Sequence, residues 1–270
     1  PRLSVVLIAG SQRRRAQRVL DALAAQTVAD AIQVVIVDLV DRLPRLDVAA
    51  SLRHVYASRP DINRWGIARA AGVRLATAEV IGFIEDHCFP ESDWAEMLLD
   101  AYRGPWAAVG YAFTNANPQT YISRASLVGR YGQVMHPARP GPAPLVSGNN
   151  VSYRRDLLLS FGADLDALLT IDFNLQEILG KRGLPLLVEG RARAAHQNFS
   201  NYVRDTITGH WYCRLLAARR AETQSWGLTR RLVHGAGPAP APAEPPVADP
   251  ARRARVRPPR RGPQQQRRPV

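Results

Sequence analysis

Three short, almost wholly apolar runs decide most of what this chain can become. Ser4–Ala9 (Ser-Val-Val-Leu-Ile-Ala) stops at Gly10, and Gln33–Val37 stops at Asp38. Val80–Ile84 runs into the polar triplet Glu85-Asp86-His87 and then Pro90. Runs of this length, rich in β-branched residues and lacking alternation, are strands buried on both faces, as in a parallel sheet. Helical patterns separate them: Arg13–Ala25 with Val19, Leu20 and Leu23 on one stripe, and Asn63–Ala76 with Ile67, Ala71 and Leu75. A weaker strand, Leu52–Ala57, lies between. Strand and helix alternating over the first third of the chain predict a right-handed α/β unit. Such sheets place ligands outside the carboxyl ends of their strands, where Asp38 and Glu85-Asp86-His87 stand. Two carboxylates and an imidazole side by side can hold a divalent cation; they are equally the solvated end of a strand.

The middle of the chain reads as more of the same. Asp93–Tyr102 is helical with Ser92 as its N-cap, and Trp106–Phe113 is a strand. Gln119–Val134 is helical, and His136–Pro144 is a proline-rich loop. Leu145–Tyr153 reads as a strand interrupted by Ser147-Gly148-Asn149-Asn150, and a glycine there marks close backbone approach. Arg154–Ser160 is a short helix. Asp172–Lys181 is a helix closed by Gly183, and Leu184–Val188 is a strand with a further extended piece to His196. Phe199–Glu222 is a long helix. From about Gly235 the chain becomes Pro-, Ala- and Arg-rich, a composition that cannot bury a core and predicts disorder over 234–270.

Composition narrows the partners. The formal net charge is +13 over 270 residues. Eight arginines against Glu244 and Asp249 place +6 of it after Gly235. With Lys181 the only lysine, the arginine excess reads as compositional bias, so single arginines carry little functional weight. An anionic membrane or a nucleic acid fits this charge without being required, and no nucleic-acid motif stands in the body. Cys88 and Cys213 form no Cys-x-x-Cys pair or disulfide framework, which predicts a reducing, cytoplasmic setting. No apolar run approaches the ~18 residues of a transmembrane helix, and no signal-peptide pattern opens the chain.

Several motifs, in order over roughly Leu3–Arg220, resemble the family 2 glycosyltransferases. Ser4–Ala9 followed by Leu20-Asp21-Ala22-Leu23-Ala24-Ala25-Gln26-Thr27 resembles that family's first strand and Leu-x-x-Leu-x-x-Gln-Thr helix end. Val35-Ile36-Val37-Asp38 resembles its second strand and nucleotide-binding aspartate, and Ala68-Arg69-Ala70-Ala71-Gly72 its Ala-Arg-Asn-x-Gly. Phe83-Ile84-Glu85-Asp86-His87 falls at its Asp-x-Asp metal motif. Ser147–Arg155 resembles its Gly-x-Asn segment before an arginine pair. Asp172-Phe173-Asn174-Leu175 with Lys181-Arg182-Gly183 resembles its Glu-Asp-x-x-Leu…Gly block, and His196 falls at its late histidine. Departures are His87 for the last aspartate of the metal motif, Ile171 for a frequent glutamate, Ala70 for the asparagine and Leu39 for a second acid.

The resemblance implies a GT-A fold over 1–233: a Rossmann-like, mostly parallel sheet flanked by helices. It has a nucleotide-binding half at about 1–113 and an acceptor half at about 114–233. It implies an inverting transfer, hexosyltransferase in type, from a nucleotide-diphosphate sugar to the hydroxyl of a glycan or lipid-linked acceptor. That reaction needs the diphosphate neutralised, a base for the hydroxyl and both held in line. The expected metal ligands are Asp86, His87 and His196, for Mn²⁺ or Mg²⁺, with two imidazoles favouring Mn²⁺. Asp172 is the expected base. Asp38, Arg69, Glu85 and Asp86 are expected at the donor nucleotide, and Gly148, Asn149 and Asn150 at the acceptor. Each has a plainer alternative: a strand-end acid for Asp38 and Asp86, a structural histidine for His87 and His196, a helix N-terminal acid for Asp172, a solvated helix face for Arg69. Trp94, Trp106 and Tyr111 are either sugar-stacking platforms or core, and Cys88 packs.

The helix Phe199–Glu222 mixes Trp211, Tyr212, Leu215 and Leu216 with Arg204, Arg214, Arg219 and Arg220. It either covers the sheet edge or lies on a membrane surface, which would place the protein at the inner face of the cytoplasmic membrane. Two other functions compete with the enzyme: a degenerate GT-A domain that binds nucleotide sugar or glycan without turnover, and a basic nucleic-acid-binding protein resting on the tail.

Overall fold

The computed structural model describes residues 1–233; the expected disordered tail lies outside the described residues. Its strands are β1 (Leu3–Ala9), β2 (Ile32–Asp38), β3 (Arg53–Ser58), β4 (Val80–Ile84), β5 (Cys88–Pro90), β6 (Ala108–Asn115), β7 (Gly141–Ala143), β8 (Val151–Arg154) and β9 (Leu186–His196). The helices are α1 (Arg13–Ala24), α2 (Trp65–Leu75), α3 (Trp94–Ala101), α4 (Tyr121–Tyr131), α5 (Arg155–Leu159), α6 (Leu165–Leu168), α7 (Asp172–Lys181), α8 (Tyr202–Thr223) and α9 (Leu228–Val233). All nine described strands form one sheet in the order β3-β2-β1-β4-β8-β6-β9-β5, with β7 added on β9. β3, β2, β1 and β4 are parallel. The direction reverses at β8, which is antiparallel to both β4 and β6.

The three apolar runs form this parallel unit for the reason their composition gives. Every residue of β1, β2 and β4 is buried, because helices cover both faces. The edge strand β3 is largely exposed. Helix α2 lies close on β1: a Cβ at Gly72 would stand 2.4 Å from Val6 Cγ1. Only glycine permits that approach, which seats Arg69, three residues earlier on the same helix, beneath the carboxyl end of β4.

The second half departs from its sequence reading. Leu145–Tyr153 is not one strand; only Val151–Arg154 pairs, and the preceding asparagines are drawn to Glu85. β9 is continuous to His196, its pairing with β6 shifting once between Tyr111 and Ala112. Strand β6 lies between β8 and β9, so both halves of the chain build one sheet. Ser92 does not cap α3; the residue before Trp94 is Asp93, without a side-chain capping bond.

Candidate active site

Two registers assemble the polar cluster. The β4–β8 pairing ends at Gly82↔Ser152. Continued past the strand, it brings Asn149 and Asn150 beside the residues after β4. The β5–β9 pairing begins at Cys88↔His196, and Gln197 N–H donates to the His87 carbonyl at 2.8 Å. Glu85 and His87 thus meet His196, which ends β9.

Between β4 and β5 the chain makes a tight turn, closed by Cys88 N–H donating to the Glu85 carbonyl at 3.0 Å. Glu85 and His87 face His196, and Asp86 faces α1. The Nε2 atoms of His87 and His196 lie 3.8 and 3.4 Å from Glu85 Oε2. Each imidazole is oriented by an oxygen on its other nitrogen. Asp86 Oδ1 lies 2.8 Å from His87 Nδ1, and Asn198 Oδ1 lies 2.9 Å from His196 Nδ1. Asn198 spends its own amide hydrogens on Asn115 Oδ1 and the His196 carbonyl, so its oxygen can only accept. Nδ1 of His196 therefore keeps its proton, and the proton on Nε2, which faces Glu85 Oε2, is the one given up to a cation. The same holds at His87 while Asp86 is ionised. One carboxylate oxygen and two Nε2 atoms, all within 4.8 Å of one another, are a donor set suited to a divalent first-row metal.

Asp86 is not in that set. Its Oδ2 pairs with Arg15 of α1 at 3.1 Å, so from within the turn it is held toward α1 rather than toward His196. Of the expected trio Asp86, His87 and His196, the structure gathers the two histidines with Glu85, and Asp86 stands beside them against His87 Nδ1.

Glu85 is held firmly. Asn149 and Asn150 donate to its two oxygens at 2.9 and 2.6 Å, and its own N–H donates to Asn150 Oδ1 at 2.9 Å. Burial alone would raise its carboxyl. The charges of His87 and His196, with hydrogen bonds from His196 and Asn150, outweigh burial and hold it well below the usual carboxylate range. Burial pulls His87 down, but Glu85 and Asp86 outweigh it and raise the imidazole. The two asparagines expected to wall the acceptor are therefore engaged with the Glu85 carboxylate. Gly148 is open: a Cβ there would meet Phe173 Cζ and Tyr212 Oη at 3.9 Å, so α8 leans over this gap.

Arg69 is not on a solvated face, and Asp172 is not a free helix-terminal acid. They are 1% and 2% exposed and form a two-pronged ion pair, Nη1 to Oδ1 and Nη2 to Oδ2, the latter at 2.8 Å. Arg69 also donates to the Leu169 carbonyl and stacks on Phe83 at 4.0 Å. Burial raises the Asp172 carboxyl, and Arg69 only partly offsets it. Asp38 is equally engaged: Arg13 grips both its oxygens at 2.9 Å, Tyr56 Oη donates to Oδ2, and Val40 N–H donates to Oδ1. Trp94 and Tyr111 are core, crossing edge to face at 5.4 Å, and Cys88 is buried beside them. Trp106 is half-buried against the core.

Sequence reading missed Arg13, Arg15, Tyr131, Asn198 and Tyr212. Tyr131 Oη lies 3.2 Å from His196 Nε2. Asn198 had a signal, standing two residues after the late histidine; the arginines were hidden by the chain's own bias.

The sheet order and the cluster at its carboxyl edge define a GT-A glycosyltransferase domain. The chain belongs to glycosyl transferase family 2, whose sequence model matches residues 4–161. A search of the curated proteins finds no match. Among solved structures it is similar to the crystal structure of S. aureus TarS 1-349, at 15% identity and TM-score 0.50, covering 81% of this chain and 64% of that one. It is similar also to the crystal structure of S. aureus TarS, at 15% identity and TM-score 0.50, covering 82% and 39%. This chain thus spans less than two-thirds of either structure, and at that identity the likeness speaks for the fold alone.

Proposed function

We propose that this domain is a metal-assisted, inverting glycosyltransferase, hexosyltransferase in type, which moves a sugar from a nucleotide-diphosphate donor to the hydroxyl of a glycan or lipid-linked acceptor. The observation that carries this reading is the convergence of two Nε2 atoms on Glu85 Oε2 at the carboxyl end of β4. Glu85, His87 and His196 would hold Mn²⁺ in preference to Mg²⁺, since imidazole suits the softer ion. When bound, the cation supplies charge neutralisation for the diphosphate. Asp86 acts through His87, and Asp38 acts by fixing Arg13 at the nucleotide side. Asp172 takes the acceptor proton; its raised carboxyl suits a base. The acceptor enters by the gap at Gly148, with Tyr212 of α8 moving aside, and Arg69 holds Asp172 in place until then.

A thermal-shift screen against UDP, GDP, dTDP and CDP, each with Mn²⁺, Mg²⁺ or EDTA, tests the donor site. A ligand at 100 times its Kd stabilises by about 2.7 kcal/mol. One nucleotide shifting the melting temperature most with Mn²⁺ is the expected result; no shift with any nucleotide sinks the reading. A second reading, binding without turnover, is favoured by the closed Arg69–Asp172 pair, which leaves the base no exposed surface.

The acceptor side adds a membrane contact. No helix among the described residues is long and apolar enough to cross a bilayer. Yet Val203, Ile207 and Trp211 form an exposed stripe one helical turn apart on α8, and Leu228, Leu232 and Val233 are exposed on α9. Arg214 stacks over Trp211 at 5.8 Å. Tyr212, Leu215 and Leu216, expected on that face, turn inward. An apolar stripe flanked by arginines, ahead of a tail of net charge +6, fits an anionic bilayer surface. In vesicle sedimentation the chain should pellet with phosphatidylglycerol vesicles but not phosphatidylcholine ones, and Ile207→Ser/Trp211→Ser should reduce pelleting several-fold. Pelleting unchanged by that double substitution would remove α8 from the contact.

A further inference from the structure

Two of the three acids expected to meet the donor, Asp38 and Asp86, are each held by an arginine from one turn of α1, and the two grips differ. Arg13 is pinned: both its Nη atoms bond Asp38 and Nη2 also donates to the Val40 carbonyl, with its side chain 16% exposed. Arg15 touches Asp86 through Nη2 alone, at 3.1 Å, and its side chain is 35% exposed. Nε is buried without a partner in both arginines, so the difference lies in the Nη atoms. A guanidinium carries five donor hydrogens in a planar fork that matches phosphate. At Arg15 most of that fork is unspent.

We infer that Arg15 is a movable counter-ion, which neutralises Asp86 in the free protein and turns to the donor diphosphate when it binds. The inference rests on the donor-site reading above. Asp86 bridges Arg15 to His87, its two oxygens serving one each, so the guanidinium stands next to the residue that orients a metal ligand. Glu85 and Asp86 together cancel the charge of a divalent cation, leaving the leaving diphosphate under-neutralised by the metal alone. An arginine in contact with this acid, loosely bound and half open to solvent, supplies the missing positive charge. A bidentate phosphate contact is stronger than the single bond it would give up. Arg13 cannot do this without abandoning three hydrogen bonds.

The test is calorimetric titration with inorganic pyrophosphate, in Mn²⁺ and again in EDTA, with Mn²⁺ alone as a third titration. Arg15→Met should weaken pyrophosphate at least tenfold in both conditions while changing the Mn²⁺ affinity less than threefold. Arg15→Lys should recover part of the loss. Asp86→Asn, which releases the arginine, should tighten pyrophosphate severalfold in EDTA, and that gain should vanish in Arg15→Met/Asp86→Asn. If Arg15→Met leaves pyrophosphate within twofold of wild type, or Asp86→Asn weakens it in EDTA as Arg15→Met does, Arg15 is a structural partner of Asp86 and the inference fails. If the wild-type chain binds neither pyrophosphate nor any nucleoside diphosphate, the donor-site reading falls, and this inference with it.

Discussion

Asp172→Asn should bind nucleotide and metal as wild type does and turn over at least about 10²-fold more slowly, the scale of losing a general base. The difficulty lies in separating a base from a brace. Asp172 is the partner of a buried guanidinium, and removing one member of such a pair costs about 3–5 kcal/mol because the other is left uncompensated. A slow Asp172→Asn enzyme could simply be a poorly folded one. Arg69→Met/Asp172→Asn removes the orphaned charge and should recover most of the stability by thermal melting. If Asp172 is the base, turnover stays low in this refolded double variant. If Asp172 only braces Arg69, turnover returns with stability. The pH profile gives a second handle. Burial raises the Asp172 carboxyl above its ordinary 3.8, so the deprotonated, active form is lost as pH falls through a value higher than that. The acid limb of kcat should disappear in Asp172→Asn and survive in Asp172→Glu. A limb unchanged in Asp172→Asn assigns it to another group.

Much of the fold was legible, and the reason is specific. β1, β2 and β4 are buried on both faces, so solvent imposes no alternation and the apolar run itself marks the strand. β5 and β7 have three residues each, too few for any period to show. They exist because β9 is long enough to template them. The Leu145–Tyr153 run was misread because Asn149 and Asn150 answer Glu85 across the sheet rather than a strand neighbour; that demand comes from a residue more than sixty positions away. At the site, the triplet after β4 stands out in the sequence, but which of its two acids lies against the histidines does not. Glu85–Cys88 is a tight turn, closed by Cys88 N–H on the Glu85 carbonyl at 3.0 Å, and neither the strand nor the helix period reads through a turn. The family motif drew attention to Asp86, but backbone geometry aims Glu85 at His196. Arg69 was misjudged for a different reason. In a chain this rich in arginine nothing in composition distinguishes a buried guanidinium from a solvated one; the close seat of α2 on β1 at Gly72 does.

The placement of Glu85 against both histidines makes the second large prediction, which reverses the order of importance the motif suggests. Glu85→Ala should abolish measurable Mn²⁺ binding, a loss of about 10²-fold or more, because it deletes the one carboxylate among the described residues whose oxygen faces both Nε2 atoms. His196→Ala should do nearly the same. Asp86→Ala should cost no more than about 10–100-fold, the effect of losing an orienting partner, since His87 stays while its tautomer is freed. The Mn²⁺ signal in electron paramagnetic resonance reads these affinities without needing an acceptor or turnover. Proton competition sharpens the ranking. Glu85 is held below the usual carboxylate range and stays ionised across the working range, so it contributes no pH dependence. His87 is raised above its ordinary 6.5 and must lose its proton to bind. Mn²⁺ affinity should therefore fall as pH drops through that raised value, about tenfold per pH unit for one displaced proton. Removing Asp86 takes away one of the two charges that raise His87, so the Asp86→Ala midpoint should move to lower pH even as its affinity at high pH declines. Loss and shift in opposite senses are what an orienting acid produces. A ligating acid would give the larger loss of the two carboxylates, and Asp86→Ala weaker than Glu85→Ala would return the metal to the trio expected from the sequence.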